Sequence, residues 1–173
     1  MRFEATVSPH VDAAYNLARW LTRNDHDAED VFQEALLRAF TFFDGFRGAD
    51  SRAWMLKIVR NTCFTWLQTN RRSEVITVDA GDLNQMPPVY SGSGDDPETL
   101  ALRRTTAAEL NDALAELAAP LREVVVLREM EGLSYKEIAA VIDAPIGTVM
   151  SRLARGRADL RRILRQSYCR GGN

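Results

Sequence analysis

Between residues 28 and 43, apolar side chains recur at alternating steps of three and one: Ala28, Val31, Phe32, Ala35, Leu36, Ala39, Phe40 and Phe43. That spacing lays them along one stripe of an α-helix. The opposite face carries Glu29, Asp30, Gln33, Glu34 and Arg38. Asp27 and its neighbours put acids near the helix start, where the macrodipole favours them. A helix is expected before it over 11–21, with Val11, Ala14, Tyr15, Leu17, Ala18 and Leu21 facing inward. Another is expected after it over 51–68, with Met55, Ile58, Val59, Thr62, Cys63 and Trp66 on the buried side.

The helical pattern stops near residue 72. The following stretch, SEVITVDAGDLNQMPPVYSGSGDDPE, carries Pro-Pro, Ser-Gly-Ser-Gly and Asp-Asp-Pro, and sustains no helical period. The fold class predicted is therefore all-α: two small helical domains, 1–72 and 100–173, joined by a flexible acidic linker over 73–99. A chain of 173 residues, 46% hydrophobic, suits one domain or two small ones with packed cores.

The formal charge of −2 conceals an asymmetry. Residues 73–102 hold six acids and no base, whereas 144–173 hold seven bases and one acid. A basic end behind an acidic linker is a possible nucleic-acid signature; a solvated helical surface is the alternative. The N-terminal residues lack the apolar run of a secretion signal, and no stretch approaches the ~18 apolar residues of a membrane span. A cytoplasmic protein without membrane insertion is expected. Two histidines and two cysteines show no ligand or nucleophile–base spacing, so neither a metal, a cofactor nor an enzyme is expected.

In the second domain, residues 100–118 read as a helix through Leu110, Leu114 and Leu117. LREVVVLREMEG is a short helix with Gly132 as its stop, and Ser134-x-x-Glu137 is a capping box that starts the next. That helix ends at Asp143-Ala144-Pro145, and a last one starts near Ile146. Two short helices joined by a tight turn make a helix-turn-helix, with Leu133, Ile138, Ala139, Ile142, Ile146, Val149 and Leu153 closing its core. The last helix then presents Thr148, Met150, Ser151, Arg152 and Arg155, side chains suited to base edges and phosphate. A helical bundle without nucleic acid is the other reading.

In the first domain, Lys57, Arg60, Asn61, Phe64 and Gln68 share a second face of the 51–68 helix. Cations for phosphate, an amide for base edges and a ring for stacking suit nucleic acid, although an amphipathic core helix has the same pattern. Ahead of it, the loop from Asp44 to Arg52 offers Phe46 and two arginines as a pocket for an unstacked base, or is an ordinary connector.

DAEDVFQEALLRAF, FRGADSRAWMLKIVRNTC and LREVVVLREMEGLSYKEIAAVIDAPIGTVMSRLARGR together resemble a bacterial sigma factor of the extracytoplasmic-function (ECF) type, in the sigma-70 family, over roughly 5–72 and 100–166. The resemblance implies a transcription initiation factor that binds core RNA polymerase and reads promoter DNA without catalysis, in response to stress or another signal. Asp27, Asp30, Gln33 and Glu34 match the segment that docks on the clamp of the largest polymerase subunit. The second domain is expected at the flap of the second-largest. Phe46, Arg47 and Trp54 match the loop and helix start that accept a flipped base of the −10 element. Lys57, Arg60, Asn61 and Phe64 match the helix that reads and melts that element. Thr148, Ser151, Arg152 and Arg155 match the −35 recognition helix; many members carry Lys or Arg where this chain has Met150. An anti-sigma factor is the implied antagonist. An ordinary DNA-binding regulator with a sensing first domain is the competing reading, and polymerase binding discriminates the two.

Overall fold

The computed structural model describes the backbone of residues 2–71 and 97–171. Every regular element among them is helical. A short α1 (Phe3–Val7) leads through the 3-10 turn Ser8–His10 into α2 (Val11–Thr22), α3 (Asp25–Phe42) and, after a second 3-10 turn at Phe43–Gly45, α4 (Ser51–Arg71). The second region holds α5 (Pro97–Glu116), α6 (Ala119–Val125), α7 (Tyr135–Ile142) and α8 (Ile146–Gly171).

In the first region α2, α3 and α4 pack on one another. Arg23 ends α2 in the left-handed conformation, φ 63°, and the Asn24 side chain then accepts from the Asp27 N–H to start α3. Ala28, Ala35 and Ala39 are fully buried, and their size lets α3 lie close to its neighbours. Leu17, Leu21, Val31, Met55, Leu56, Val59 and Cys63 fill the space between.

Along the expected stripe of α3, Ala28, Val31, Ala35 and Ala39 are buried and Phe32 and Leu36 partly buried against the core, but Phe40 is 66% exposed. Beyond Ala39 the Phe40 ring has Phe3 edge-on at 5.3 Å as cover and otherwise faces solvent. Ile146 is a second correction. It is 46% exposed, because the first side chain of α8 lies back over the preceding turn instead of down into the core. The acidic linker expected over 73–99 falls, up to residue 96, outside the described residues; Pro97 already opens α5.

In the second region α8 packs on α5, α6 and α7. Gly156 makes the close approach possible: a Cβ there would stand 2.8 Å from Cγ2 of Val125. The segment read as one short helix is α6 followed by a π-helical turn, Val126–Met130, and Gly132 stops it at φ 67°. The capping box of α7 is complete. The Glu137 N–H donates to Ser134 Oγ at 3.2 Å, and the Ser134 N–H donates to Glu137 Oε2 at 2.6 Å. Asp143 closes α7 in the left-handed conformation, and Ile146 opens α8 three residues on.

The two regions are in contact. Helix α4 lies against α7, and α2 against α6.

Candidate nucleic-acid interface

The α3 face places Asp30, Gln33 and Glu34 in solvent, with Asp27 half-buried. Burial pushes the Asp27 carboxyl above its ordinary value; His26 opposes this and Asp30 adds to it. Glu34 is paired with Arg38 one turn on, and His26 stands 3.9 Å from Asp30. Leu37, 69% exposed, continues the same face, since residues three and four apart are neighbours on a helix. The surface is thus acidic with an apolar end, an extension that the inward-stripe reading of the sequence did not reveal.

The loop after α3 brings Phe46 and Trp54 together, ring centroids 4.7 Å apart, with Phe43 6.5 Å from Phe46. Arg47 folds back and donates to the carbonyls of Asp44 and Phe46. Asp50 caps α4 by accepting from the Ala53 N–H at 2.9 Å. The aromatic pair and its arginine therefore sit at the start of the helix that carries the remaining first-domain candidates.

On α4, the Arg60 guanidinium lies over the Phe64 ring, 4.2 Å from its centroid, and donates to Asn61 Oδ1 at 3.3 Å. These three candidates form one cluster. Arg60 also makes a two-point contact with a residue that sequence reasoning missed. Its Nε and Nη2 donate to the two carboxylate oxygens of Glu123 at 2.8 and 3.0 Å. Lys57 Nζ lies 3.7 Å from Asp143.

On α8, Ser151 and Arg155 are exposed, Thr148 is half-buried, and Met150 is 52% exposed. Ser151 Oγ donates to the Thr148 carbonyl at 3.1 Å. Arg152 Nη1 stands 3.8 Å from Glu123 Oε1. Ser151, Arg152 and Arg155 line one side of an open groove of about 390 Å³ whose other side is Ala118, Pro120 and Leu121.

Glu123 has no exposed surface. Burial pushes its carboxyl up, and the hydrogen bond and charge of Arg60, followed by the charge of Arg152, pull it back. An ionised carboxylate taken out of water needs such partners. The sequence did carry a signal: Arg122 and Glu123 sit inside the otherwise apolar run from Leu121 to Leu127, Glu123 as its one acid. Among the described residues no three His, Cys, Asp or Glu side chains group to hold a metal ion, and no helix is long and apolar enough to cross a membrane.

A capped helix-turn-helix with a cationic second helix, preceded by a helical unit with its own cationic and aromatic face, is a two-part helical arrangement whose side chains suit contact with nucleic acid. Residues 6–73 match the family model Sigma-70 region 2, and residues 107–160 match Sigma-70, region 4. The chain is 35% identical over 136 residues to the ECF RNA polymerase sigma-E factor of Escherichia coli, covering 76% of this chain and 70% of that protein. It is 35% identical over 164 residues to the ECF RNA polymerase sigma factor SigE of Mycolicibacterium smegmatis, covering 94% of this chain and 61% of that longer one. In structure it resembles the sigma factor RpoE of Bartonella quintana, solved with the anti-sigma factor NepR. That match has a TM-score of 0.74 at 27% identity and covers 94% of this chain and 96% of that one. It shares its fold with CnrH, with a TM-score of 0.62 at 24% identity over 95% of this chain and 88% of that one. The chain belongs to the ECF sigma factors.

Proposed function

We propose that this protein binds core RNA polymerase and directs it to promoters whose −10 and −35 elements it reads, with no reaction of its own. The observation that carries this reading is the presence in one chain of both sigma-70 regions, each with its cationic candidates on one helix. Asp27, Asp30, Gln33 and Glu34 dock on the clamp of the largest subunit, and Leu37 supplies an apolar contact beside them. The second region sits at the flap of the second-largest subunit.

Phe46 and Trp54, with Arg47, hold a base flipped from the −10 element. Trapping an extruded base offsets the few kcal/mol of unpairing that melting requires. Lys57, Arg60, Asn61 and Phe64 track the opened strand by charge, amide and stacking. Thr148, Ser151, Arg152 and Arg155 enter the major groove at the −35 element. Two modest readers on one tether gain from effective concentration once both engage. The protein works in the cytoplasm and is held by an anti-sigma factor, as the Bartonella relative was captured with one.

The test is a pull-down with purified core polymerase, followed by transcription from a promoter library. Wild type should bind and initiate at promoters sharing two elements. Asn61→Ala should change the −10 preference, and Arg152→Ala should weaken discrimination at −35 by ~10-fold, the scale of one lost base contact. Duplex DNA binding without polymerase binding would replace this reading with that of an ordinary regulator.

A further inference from the structure

Three buried positions fix how α8 is turned about its own axis. Val149 and Leu153 sit in the core, and Gly156 lies against Val125. With about 100° between successive residues, that rotation sends Gly147, Ser151 and Ala154 away from the core. Ile146 and Met150, 46% and 52% exposed, flank them on one side, and Arg152 and Arg155 on the other. The two arginines line the groove against Ala118, Pro120 and Leu121, and Arg152 leans toward Glu123 at 3.8 Å.

The first turns of α8 therefore carry an apolar row, Ile146, Met150 and Ala154, each four residues from the next. Single exposed apolar side chains are ordinary on protein surfaces. Here two large ones stand one turn apart at the start of the second helix of a helix-turn-helix, the part of that motif that meets base edges. A Cβ at Gly147 would meet nothing within 4 Å, so the backbone beside the row is open to close approach. Ser151, the polar neighbour of Met150, already donates its hydroxyl to the Thr148 carbonyl, which leaves it an acceptor. The first turn holds no acid.

Among the base edges of the major groove, thymine alone carries a methyl group. An Ile or Met side chain against that methyl removes apolar surface of both partners from water. Against the amino group of cytosine or adenine, or the acceptors of guanine, it strips water from a polar group and returns no hydrogen bond. The unbranched thioether of Met150 can adapt to the position of the methyl without a backbone shift.

We propose that Ile146, Met150 and Ala154 form a reading ridge for thymine methyl groups. The −35 element of this protein's promoters then holds thymine where the ridge crosses the groove, and Met150 sets that choice. The inference deepens the promoter-reading function proposed above and rests on it.

The test uses holoenzyme reconstituted from core polymerase and the full chain, on the strongest promoter found in the transcription assay. Each thymine of the −35 element, on either strand, is replaced in turn by deoxyuridine, which keeps every hydrogen-bonding group and lacks only the methyl. Competition binding reads the affinity, with a thymine between the two elements as control. For wild type, at least one −35 replacement should weaken binding about fourfold, the weight of one buried methyl, and the control none. Met150→Ala should bind thymine and deoxyuridine DNA equally at that position. Met150→Arg should move the preference there from thymine to guanine, which an arginine contacts at two points. Met150 is exposed, and circular dichroism should show both variants folded.

A wild type that initiates transcription but is indifferent to every −35 methyl overturns the ridge alone. So does a methyl effect that keeps its full size in both Met150→Ala and Ile146→Ala. Failure of wild type to initiate on the unmodified promoter, seen before any deoxyuridine is introduced, would sink the promoter-reading function and the ridge with it.

Discussion

At the scale of single residues, burial decides chemistry. The two cysteines are the clearest contrast. Cys63 is buried on α4, and its thiol is pushed up to about 12, first by desolvation and then by the nearby Glu123 charge. Cys169 is exposed on α8. Because the thiolate is the reactive form, a disulfide reagent at about pH 8 should titrate only Cys169 in the native protein and both cysteines in denaturant. Rapid reaction of two thiols under native conditions would mean that the core around Cys63 opens. The sequence placed Cys63 on the buried side, since helical spacing is enough for that. It did not place Glu123, because its partner Arg60 lies 63 positions away and no local period reports such a pair. Phe40 went the other way. Its spacing predicted burial, and the only thing that could refute it was how far the neighbouring helices reach.

At the scale of elements, the boundaries with a chemical marker were legible. Ser134 and Glu137 announced the start of α7, and Gly132 the stop before it. The structure adds an electrostatic consequence. The Glu137 carboxyl is held below its ordinary 4.5, chiefly by accepting from the Ser134 N–H and then by its bond with the Ser134 side chain. A lowered carboxyl stabilises the fold above its unfolded value and loses that contribution as pH falls through the folded one. Urea denaturation followed by circular dichroism should therefore show wild-type stability falling below about pH 4.5 more steeply than that of Glu137→Gln, which keeps an uncharged partner for the cap. Parallel pH profiles would refute the charged cap. Ser134→Ala should cost about 1 kcal/mol at neutral pH in the same assay. The π-helical turn at Val126–Met130 had no sequence marker. It lies directly after Val125, the residue against which Gly156 lets α8 approach.

At the scale of the whole molecule, the contact between the regions combines exposed and buried charge. Asp143 is largely in solvent and Lys57 half-buried, and a pair exposed on one side contributes little and is screened by salt. Arg60 and Glu123 are shielded. Raising NaCl to about 1 M should therefore leave the scattering radius of wild type unchanged, since screening acts far less on buried pairs. Expansion in salt would show that surface charges hold the regions together. The sequence by itself determined the long helices, the capping box and glycine stop around α7, the helix-turn-helix and the two-region plan; the short α1 and the Asn24 and Asp50 caps came only with the structure. The former follow from spacings of three and four residues and from turn chemistry, which act within a few positions along the chain. Only the tertiary structure decided that α4 faces the second region and that the Glu123 carboxylate engages Arg60 of α4 and Arg152 of α8. Such a contact depends on the packing of helices far apart in sequence, and nothing in the local pattern of either helix specifies the other.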